Sequence, residues 1–153
     1  MDIQKVKYSR KNNKVTVDYF DHRGKWSGEI TVDPHPDFIK SLDAITEDMV
    51  LICELNDESI WKYKVTGISI GGEDEYLGVV IIGQKEVLNK KVFNIITPFV
   101  MFEEEHSDYE NCGDLKKKVD LILKETEELL NGKTSQMKLD FHDKTNSLKM
   151  AVI

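Results

Sequence analysis

The sequence predicts an α+β fold in which a six-stranded, largely antiparallel sheet carries two helices on one face, in the order βββαβββα. Three observations predict it. Several short segments alternate apolar and polar residues with period two, which is typical of half-buried strands. Two longer segments carry apolar residues at spacings of three and four, which is typical of amphipathic helices. Glycine, proline, asparagine and aspartate cluster between these segments, as they do in turns.

Three strands come first and form an antiparallel meander. Alternation predicts them in residues 6–8, 15–19 and 26–32. Turns are expected at Asn12-Asn13 and at Gly24, because asparagine and glycine tolerate left-handed backbone angles. Pro34 and Pro36 then stop the third strand, since proline fixes its φ angle and has no N–H to donate.

The first predicted helix begins near Asp37 and is ended by Asn56-Asp57-Glu58-Ser59. Its apolar residues recur at spacings of four and three, which places them on one face of an uninterrupted helix. These residues are Phe38, Leu42, Ile45, Met49 and Ile52. We expect this face to pack against the sheet.

The second half of the chain repeats the order of three strands and a helix. Strands are predicted in residues 61–70, 77–82 and 92–99, and a helix in residues 114–130. The alternation changes phase at Gly67, which predicts a β-bulge. The run 77–82 is almost wholly apolar and β-branched, which favours a central strand buried on both faces. The last helix is expected to end at Asn131-Gly132.

One domain is predicted for residues 1–132. A chain of 153 residues is long enough to bury a hydrophobic core without a metal or disulfides. Residues 133–153 are polar and lack sustained periodicity, so we expect a mobile polar tail. The two halves share an order of elements without residue-by-residue similarity, so a duplicated βββα unit rests on that order alone.

The composition is that of an ordinary globular protein, with 40% hydrophobic and 32% charged residues. The net charge of −7 favours solubility and argues against attraction of the whole surface to nucleic acid or to an anionic membrane. No run of about 18 apolar residues and no N-terminal secretory stretch is found. Cys53 and Cys112 suggest no disulfide framework, so a cytoplasmic protein without a membrane partner is expected.

We predict no enzymatic activity and no cofactor, because no catalytic or metal-binding motif is found. The four histidines lie in turns, loops and the tail, without the spacing of zinc ligands. The acidic run from Glu103 to Glu110 could bind a divalent cation or imitate a polyphosphate surface. A solvated loop is the simpler interpretation, and we favour it.

Two clusters of basic residues are candidates for contact with nucleic acid. They consist of Trp61, Lys62, Tyr63 and Lys64 on one predicted strand, and of Lys116, Lys117 and Lys118 at the start of the last helix. Exposed rings in the first cluster could stack on bases while the lysines contact phosphates. Alternation instead places rings and lysines on opposite faces, which favours rings packed beneath the helices. The second cluster opposes the helix dipole and weakly indicates an anionic partner.

The predicted tail contains Gln136-Met137-Lys138-Leu139-Asp140-Phe141, which resembles the QxxLxF form of the peptide that binds the bacterial sliding clamp. In that peptide the glutamine makes polar contacts at the mouth of a pocket, and the leucine and phenylalanine occupy apolar subsites. The resemblance gives these roles to Gln136, Leu139 and Phe141, with Met137 in the same partner-binding segment. The alternative is an extra strand or amphipathic segment that packs Leu139 and Phe141 onto the body.

Five segments of the domain share a further resemblance. They are Pro34-His35-Pro36-Asp37-Phe38, Ile52-Cys53-Glu54-Leu55, Val65-Thr66-Gly67-Ile68-Ser69, Leu77-Gly78-Val79-Val80-Ile81 and Asn94-Ile95-Ile96-Thr97-Pro98. Together they resemble a family of small phage and prophage proteins from gut bacteria, over about residues 1–132. The resemblance implies a phage origin, a single compact domain and a bacterial host cytoplasm, and it transfers no catalytic residues. Members of this family are similar in carrying a glutamine-led apolar peptide after the last helix, which favours the clamp interpretation.

Two functions from different classes follow from these patterns. The first is a non-enzymatic phage accessory protein of DNA replication or recombination, which binds single-stranded DNA or a replication protein and is tethered to a sliding clamp. The alternative is an anti-defence protein that inhibits a host nuclease with its acidic surface, or sequesters a nucleotide immune signal. Sequestration would require a homo-oligomer with a pocket between protomers.

Overall fold

A computed structural model describes residues 2–134 and the backbone of residues 148–152. The helices are α1 (Pro36–Asp43), α2 (Thr46–Ile52) and α3 (Cys112–Leu130). The strands are β1 (Asp2–Ser9), β2 (Lys14–Asp21), β3 (Gly24–Ile30), β4 (Tyr63–Gly71), β5 (Gly78–Glu86), β6 (Val92–Ile96), β7 (Val100–Met101) and β8 (Leu148–Val152). They form one antiparallel sheet in the order β6-β5-β4-β1-β2-β3-β8, with β7 also paired to β5. The predicted α+β class is confirmed.

The helices cover one face of the sheet, and the core lies between the two layers. Alternate residues of the central strands point into it, among them Val6, Val17 and Val65, none of which is exposed. Leu42 of α1 and Leu115 of α3 belong to the same continuous apolar cluster. The opposite face, which we call the open face, carries the intervening side chains, and these are partly or fully exposed.

The bulge predicted at Gly67 is present in β4. Val65 pairs with Gly83, and Gly67 pairs with Ile82, so Thr66 is the extra residue. The extra residue keeps the later apolar side chains of β4 on the helix-covered face.

The first predicted helix is divided into two. Between α1 and α2, Ile45 has φ −103° and ψ 11°, which lies outside the helical region. Leu42, Ile45 and Met49 are all buried, so the apolar spacing continues across the break. Spacing therefore predicted the buried face correctly, but it contains no information on a change of direction at one residue.

Two strand predictions are also corrected. The run 77–82 was predicted to be central and buried on both faces, but β5 lies next to the edge strand β6, and Val80 and Ile82 are partly exposed on the open face. The single strand predicted for 92–99 is interrupted between β6 and β7. Pro98 has no N–H for a ladder, and the hydroxyl of Thr97 accepts a hydrogen bond from the Ile81 N–H at 2.9 Å.

Part of the predicted tail contacts the body. β8 pairs antiparallel with β3, and Thr134 forms an isolated bridge with Pro34. Residues 134 and 148–152 of the predicted tail thus pair with the domain, while the peptide from Gln136 to Phe141 lies outside the described residues, and the mobility of the tail stays a prediction. In the described part of the chain, no helix has the length and apolar character needed to cross a membrane.

Lys133 joins α1 to the end of α3 through three carboxylates. Its Nζ lies 3.1 Å from Asp37, 3.1 Å from the buried Glu125 and 2.9 Å from Glu128. Hydrogen bonds from Lys133 lower the pKa values of Asp37 and Glu128, and its bond to Glu128 is the main reason that the pKa of Lys133 is raised. The start of the predicted tail is therefore fixed to the domain.

Candidate nucleic-acid interface

An exposed tryptophan lies at one end of the sheet. A 3₁₀ turn over Ile60–Lys62 precedes β4 and leaves Trp61 68% exposed. The Nζ of Lys62 lies 5.2 Å from the centroid of its ring, which is the distance of a cation–π contact. Most of the ring surface is open to a ligand.

Five lysines lie in the segments that meet at this end of the sheet. Tyr63 pairs with Lys85, and Lys85 pairs with Phe93, so the start of β4, the end of β5 and the start of β6 lie side by side. The lysines are Lys62, Lys64, Lys85, Lys90 and Lys91. Glu86 is the only acidic residue in the segments 60–64 and 84–93. We call these five lysines, together with Trp61 and Phe93, the basic end of the sheet.

The hairpin between β5 and β6 adds apolar surface to the basic end. The Val87 N–H donates to the Lys91 carbonyl at 2.7 Å and closes the hairpin, which leaves Leu88 86% exposed. Phe93 is 46% exposed at the edge of the sheet. Aromatic and aliphatic groups among lysines are suited to a ligand that has both apolar rings and negative charge.

The structure separates the residues of the first predicted cluster. Tyr63 is 2% exposed, with the Nζ of Lys85 5.2 Å from its ring centroid, so it cannot stack on a base. Lys62 contacts Trp61, and Lys64 is exposed on the open face. Packing of the rings beneath the helices is therefore confirmed for Tyr63 and wrong for Trp61. Strand alternation does not apply to Trp61, because the strand begins only at Tyr63.

The second predicted cluster is largely neutralised by neighbouring carboxylates. The Nζ of Lys118 lies 3.1 Å from Asp48, and the Nζ of Lys116 lies 2.9 Å from Asp120. Lys117 is exposed. Two of the three charges are thus compensated, and the cluster offers less positive potential than its sequence suggested.

A hydrogen-bond network around the buried Asp48 connects α2 to α3 and to the loop before α3. Asp48 of α2 is 3% exposed and accepts hydrogen bonds from the Tyr109 hydroxyl at 2.6 Å and from the Lys118 ammonium at 3.1 Å. Burial, and then the hydrogen bond to Asp48, raises the pKa of Tyr109. Tyr109 and Lys118 lie 61 and 70 residues after Asp48 in the sequence, so local spacing could not predict these contacts.

A cleft of about 410 Å³ lies between the end of α2, β7 and the acidic run from Glu103 to Glu110. The polar groups on its wall contact their neighbours. The ring of His106 lies 4.8 Å from that of Tyr76, and the hydroxyl of Ser107 accepts from the Tyr109 N–H. Within residues 2–134, no hydrogen bond joins a nucleophile to a base in this cleft.

The remaining predicted candidates are the acidic run, a possible metal site and the clamp-like peptide. The carboxylates of the acidic run from Glu103 to Glu110 are exposed, as in the solvated-loop interpretation. Over the residues described, no three His, Cys, Asp or Glu side chains could hold a metal ion. The clamp-like residues Gln136, Met137, Leu139 and Phe141 lie outside the described residues, so their role stays a prediction.

Sequence reasoning missed Lys85, Lys90, Lys91, Leu88 and Phe93. The signal was present, because residues 84–93 contain three lysines and one glutamate between two strands. Their position at the same end of the sheet as Trp61 depends on the pairing of β4 with β5 and of β5 with β6, which the sequence does not contain. Comparisons with protein-family models, with curated proteins and with solved structures found no match to this chain.

Proposed function

We propose that this chain is a non-enzymatic protein that binds single-stranded nucleic acid at the basic end of its sheet and acts as an accessory protein of phage DNA replication or recombination. One observation carries the proposal: Trp61 is 68% exposed beside Lys62, at the end of the sheet that also carries Lys64, Lys85, Lys90 and Lys91. Stacking of a base on an exposed aromatic ring contributes about 1–3 kcal/mol. The lysines would contact the phosphates, which makes binding strongly dependent on salt.

The charge distribution supports binding at the basic end. The segments 60–64 and 84–93 carry five lysines and one glutamate, whereas the whole chain has a net charge of −7. The local excess of positive charge therefore attracts a polyanion to the basic end of a chain that is acidic as a whole.

Single strands fit this surface better than duplexes. Exposed rings can stack only on bases that are not already paired and stacked. Tyr63 and Phe93 lie on strands separated by β5, which is about 10 Å at the usual strand spacing. In this proposal a segment of a few nucleotides contacts both Phe93 and Trp61, which lies two residues before Tyr63.

Titration of a labelled single-stranded oligothymidylate by fluorescence anisotropy tests the proposal. We expect Trp61→Ala to weaken binding about tenfold, because one stacking contact is lost. The double substitution Lys90→Glu and Lys91→Glu should weaken binding and reduce its salt dependence. A matched control, Lys117→Glu with Lys124→Glu, makes the same charge change on exposed positions of α3 and should leave affinity within about twofold. Equal weakening by both pairs, or no binding by wild type at low salt, would exclude this interface.

Tethering to a sliding clamp is the second part of the proposal. Thr134 bridges Pro34 and β8 pairs with β3, so both ends of the segment that contains Gln136 and Phe141 lie on the domain. A weak contact of this peptide with the clamp would raise the local concentration of the protein at the replication fork.

Anisotropy of the labelled protein against purified bacterial sliding clamp tests this contact. We expect a dissociation constant in the micromolar range for wild type, and loss of binding when Gln136→Ala and Phe141→Ala are combined. Trp61→Ala serves as the control, since it should reduce oligonucleotide binding and leave clamp binding unchanged. Identical curves for wild type and the double variant would remove the clamp from the proposal and leave the nucleic-acid interface standing.

A further inference from the structure

Among the strands that the structure describes, none lies beside the outer edge of β6. Hydrogen bonds join Val87 to Lys91 and Thr97 to Ile81, at the two ends of the β5–β6 ladder. Because bonded and non-bonded pairs alternate in an antiparallel ladder, Phe93 and Ile95 bond to β5. The N–H and C=O groups of the other three residues then point away from the sheet. These residues are Val92, Asn94 and Ile96.

This edge has none of the features that normally prevent pairing with another strand. The residues of β6 are Val, Phe, Asn, Ile and Ile, with no charge, proline or glycine. Ile96 is 70% exposed on the open face beside Ile82. At the other end of the sheet the terminal strand is β8, which pairs with β3 and contains Lys149. Of the two terminal strands in the sheet order, β6 is the one without a charged residue.

We propose that β6 pairs antiparallel with β6 of a second copy of this chain, about a two-fold axis at Asn94. In this register Val92 lies opposite Ile96 of the other copy, and Phe93 lies opposite Ile95. The three outward-facing residues of each strand make up to six backbone hydrogen bonds across the axis. The result is one continuous sheet through both protomers.

The sequence around β6 favours a second copy over a different protein. The two-fold register places Lys91 opposite Thr97, and Lys90 opposite Pro98, so no like charges meet. The basic ends of the two protomers lie at opposite ends of the paired β6 strands. The five residues of β6 separate them by about 17 Å. On the open face, the apolar row of Ile82 and Ile96 continues onto the Val92 of the other copy.

Sedimentation velocity over a hundredfold range of protein concentration tests this dimer. Asn94 is exposed, so its substitution should not disturb the fold. Asn94→Lys places two lysines directly across the axis and should weaken dimerisation about tenfold or more, and Asn94→Glu should do the same. An equimolar mixture of the two variants should restore the dimer, because opposite charges then meet at the axis. Thr16→Lys, on the open face of β2, should dimerise like wild type.

Each other outcome would overturn the proposal. A wild type that is monomeric at all concentrations shows that the edge is unused or is covered by another segment or partner. Charge variants that dimerise like wild type place the interface elsewhere. A mixture that stays monomeric excludes an axis at Asn94. None of these results bears on oligonucleotide binding by Trp61, so this proposal and the nucleic-acid interface fail separately.

Discussion

Replacing Gly67 with alanine should lower the free energy of unfolding by about 3 kcal/mol, at the upper end of the range for overpacking substitutions. An added Cβ would lie 2.3 Å from the carbonyl oxygen of Val6 and 3.1 Å from the Cα of Lys7. Both are backbone atoms of β1, so no side-chain rotation can relieve the overlap. Strands β1 and β4 would have to separate or shift.

The position of this contact makes the effect large. β1 and β4 join the two halves of the sheet, and Gly67 is paired with Lys7 at this junction. Only two further pairs are assigned between these strands, Lys5 with Ser69 and Val6 with Ile68. Disturbing one of three pairs therefore weakens the connection between β6-β5-β4 and the rest of the sheet.

Urea denaturation followed by circular dichroism measures this loss, and a second glycine provides the control. Gly113 lies in the first turn of α3, and an added Cβ there meets nothing within 4 Å. Gly113→Ala should leave stability unchanged or raise it by up to about 1 kcal/mol, since alanine favours the helix. A loss of less than about 1 kcal/mol in Gly67→Ala would show that β1 and β4 adjust without cost.

The class of the fold and the bulge could be predicted because both depend on local periodicity. The phase change at Gly67 follows from which side chains must face the core. Sheet order could not be predicted, because period two identifies a buried face and not a neighbouring strand. The apolar run of β5 was therefore assigned to the centre, although Val80 and Ile82 lie on the open face near the edge. The break between α1 and α2 could not be predicted either, because the apolar spacing continues across it.

The candidate interface was predicted only in part. Trp61, Lys62 and Lys64 were identified from their order along the chain, but the exposure of Trp61 depends on β4 beginning two residues later. A shift of one residue in that boundary exchanges buried and exposed positions, and sequence patterns do not determine boundaries so closely. Lys85 and Lys91 join the site through strand pairing, which brings together residues more than twenty positions apart.

The network around Asp48 should show a large loss for one substitution and a recovery when all partners are replaced. Lys118→Met leaves a carboxylate that is 3% exposed without its cation, and we expect the free energy of unfolding to fall by about 3 kcal/mol. Combining it with Asp48→Leu and Tyr109→Phe removes all the polar groups and should recover most of this loss. Urea denaturation of the single and triple variants tests the expectation. A triple variant that is less stable than Lys118→Met alone would contradict the expectation.

The pH dependence of stability provides a second measure of the same network. Burial and the bond to Asp48 raise the pKa of Tyr109 above its ordinary value of 10.0, so the folded state holds the phenol proton more tightly than the unfolded state. The resulting stabilisation is fully present below pH 10 and is lost as the pH rises toward the folded-state pKa. The stability difference between wild type and Tyr109→Phe should therefore fall as the pH is raised above 10. A difference that stays constant above pH 10 would mean that the Tyr109 hydroxyl is not held by Asp48.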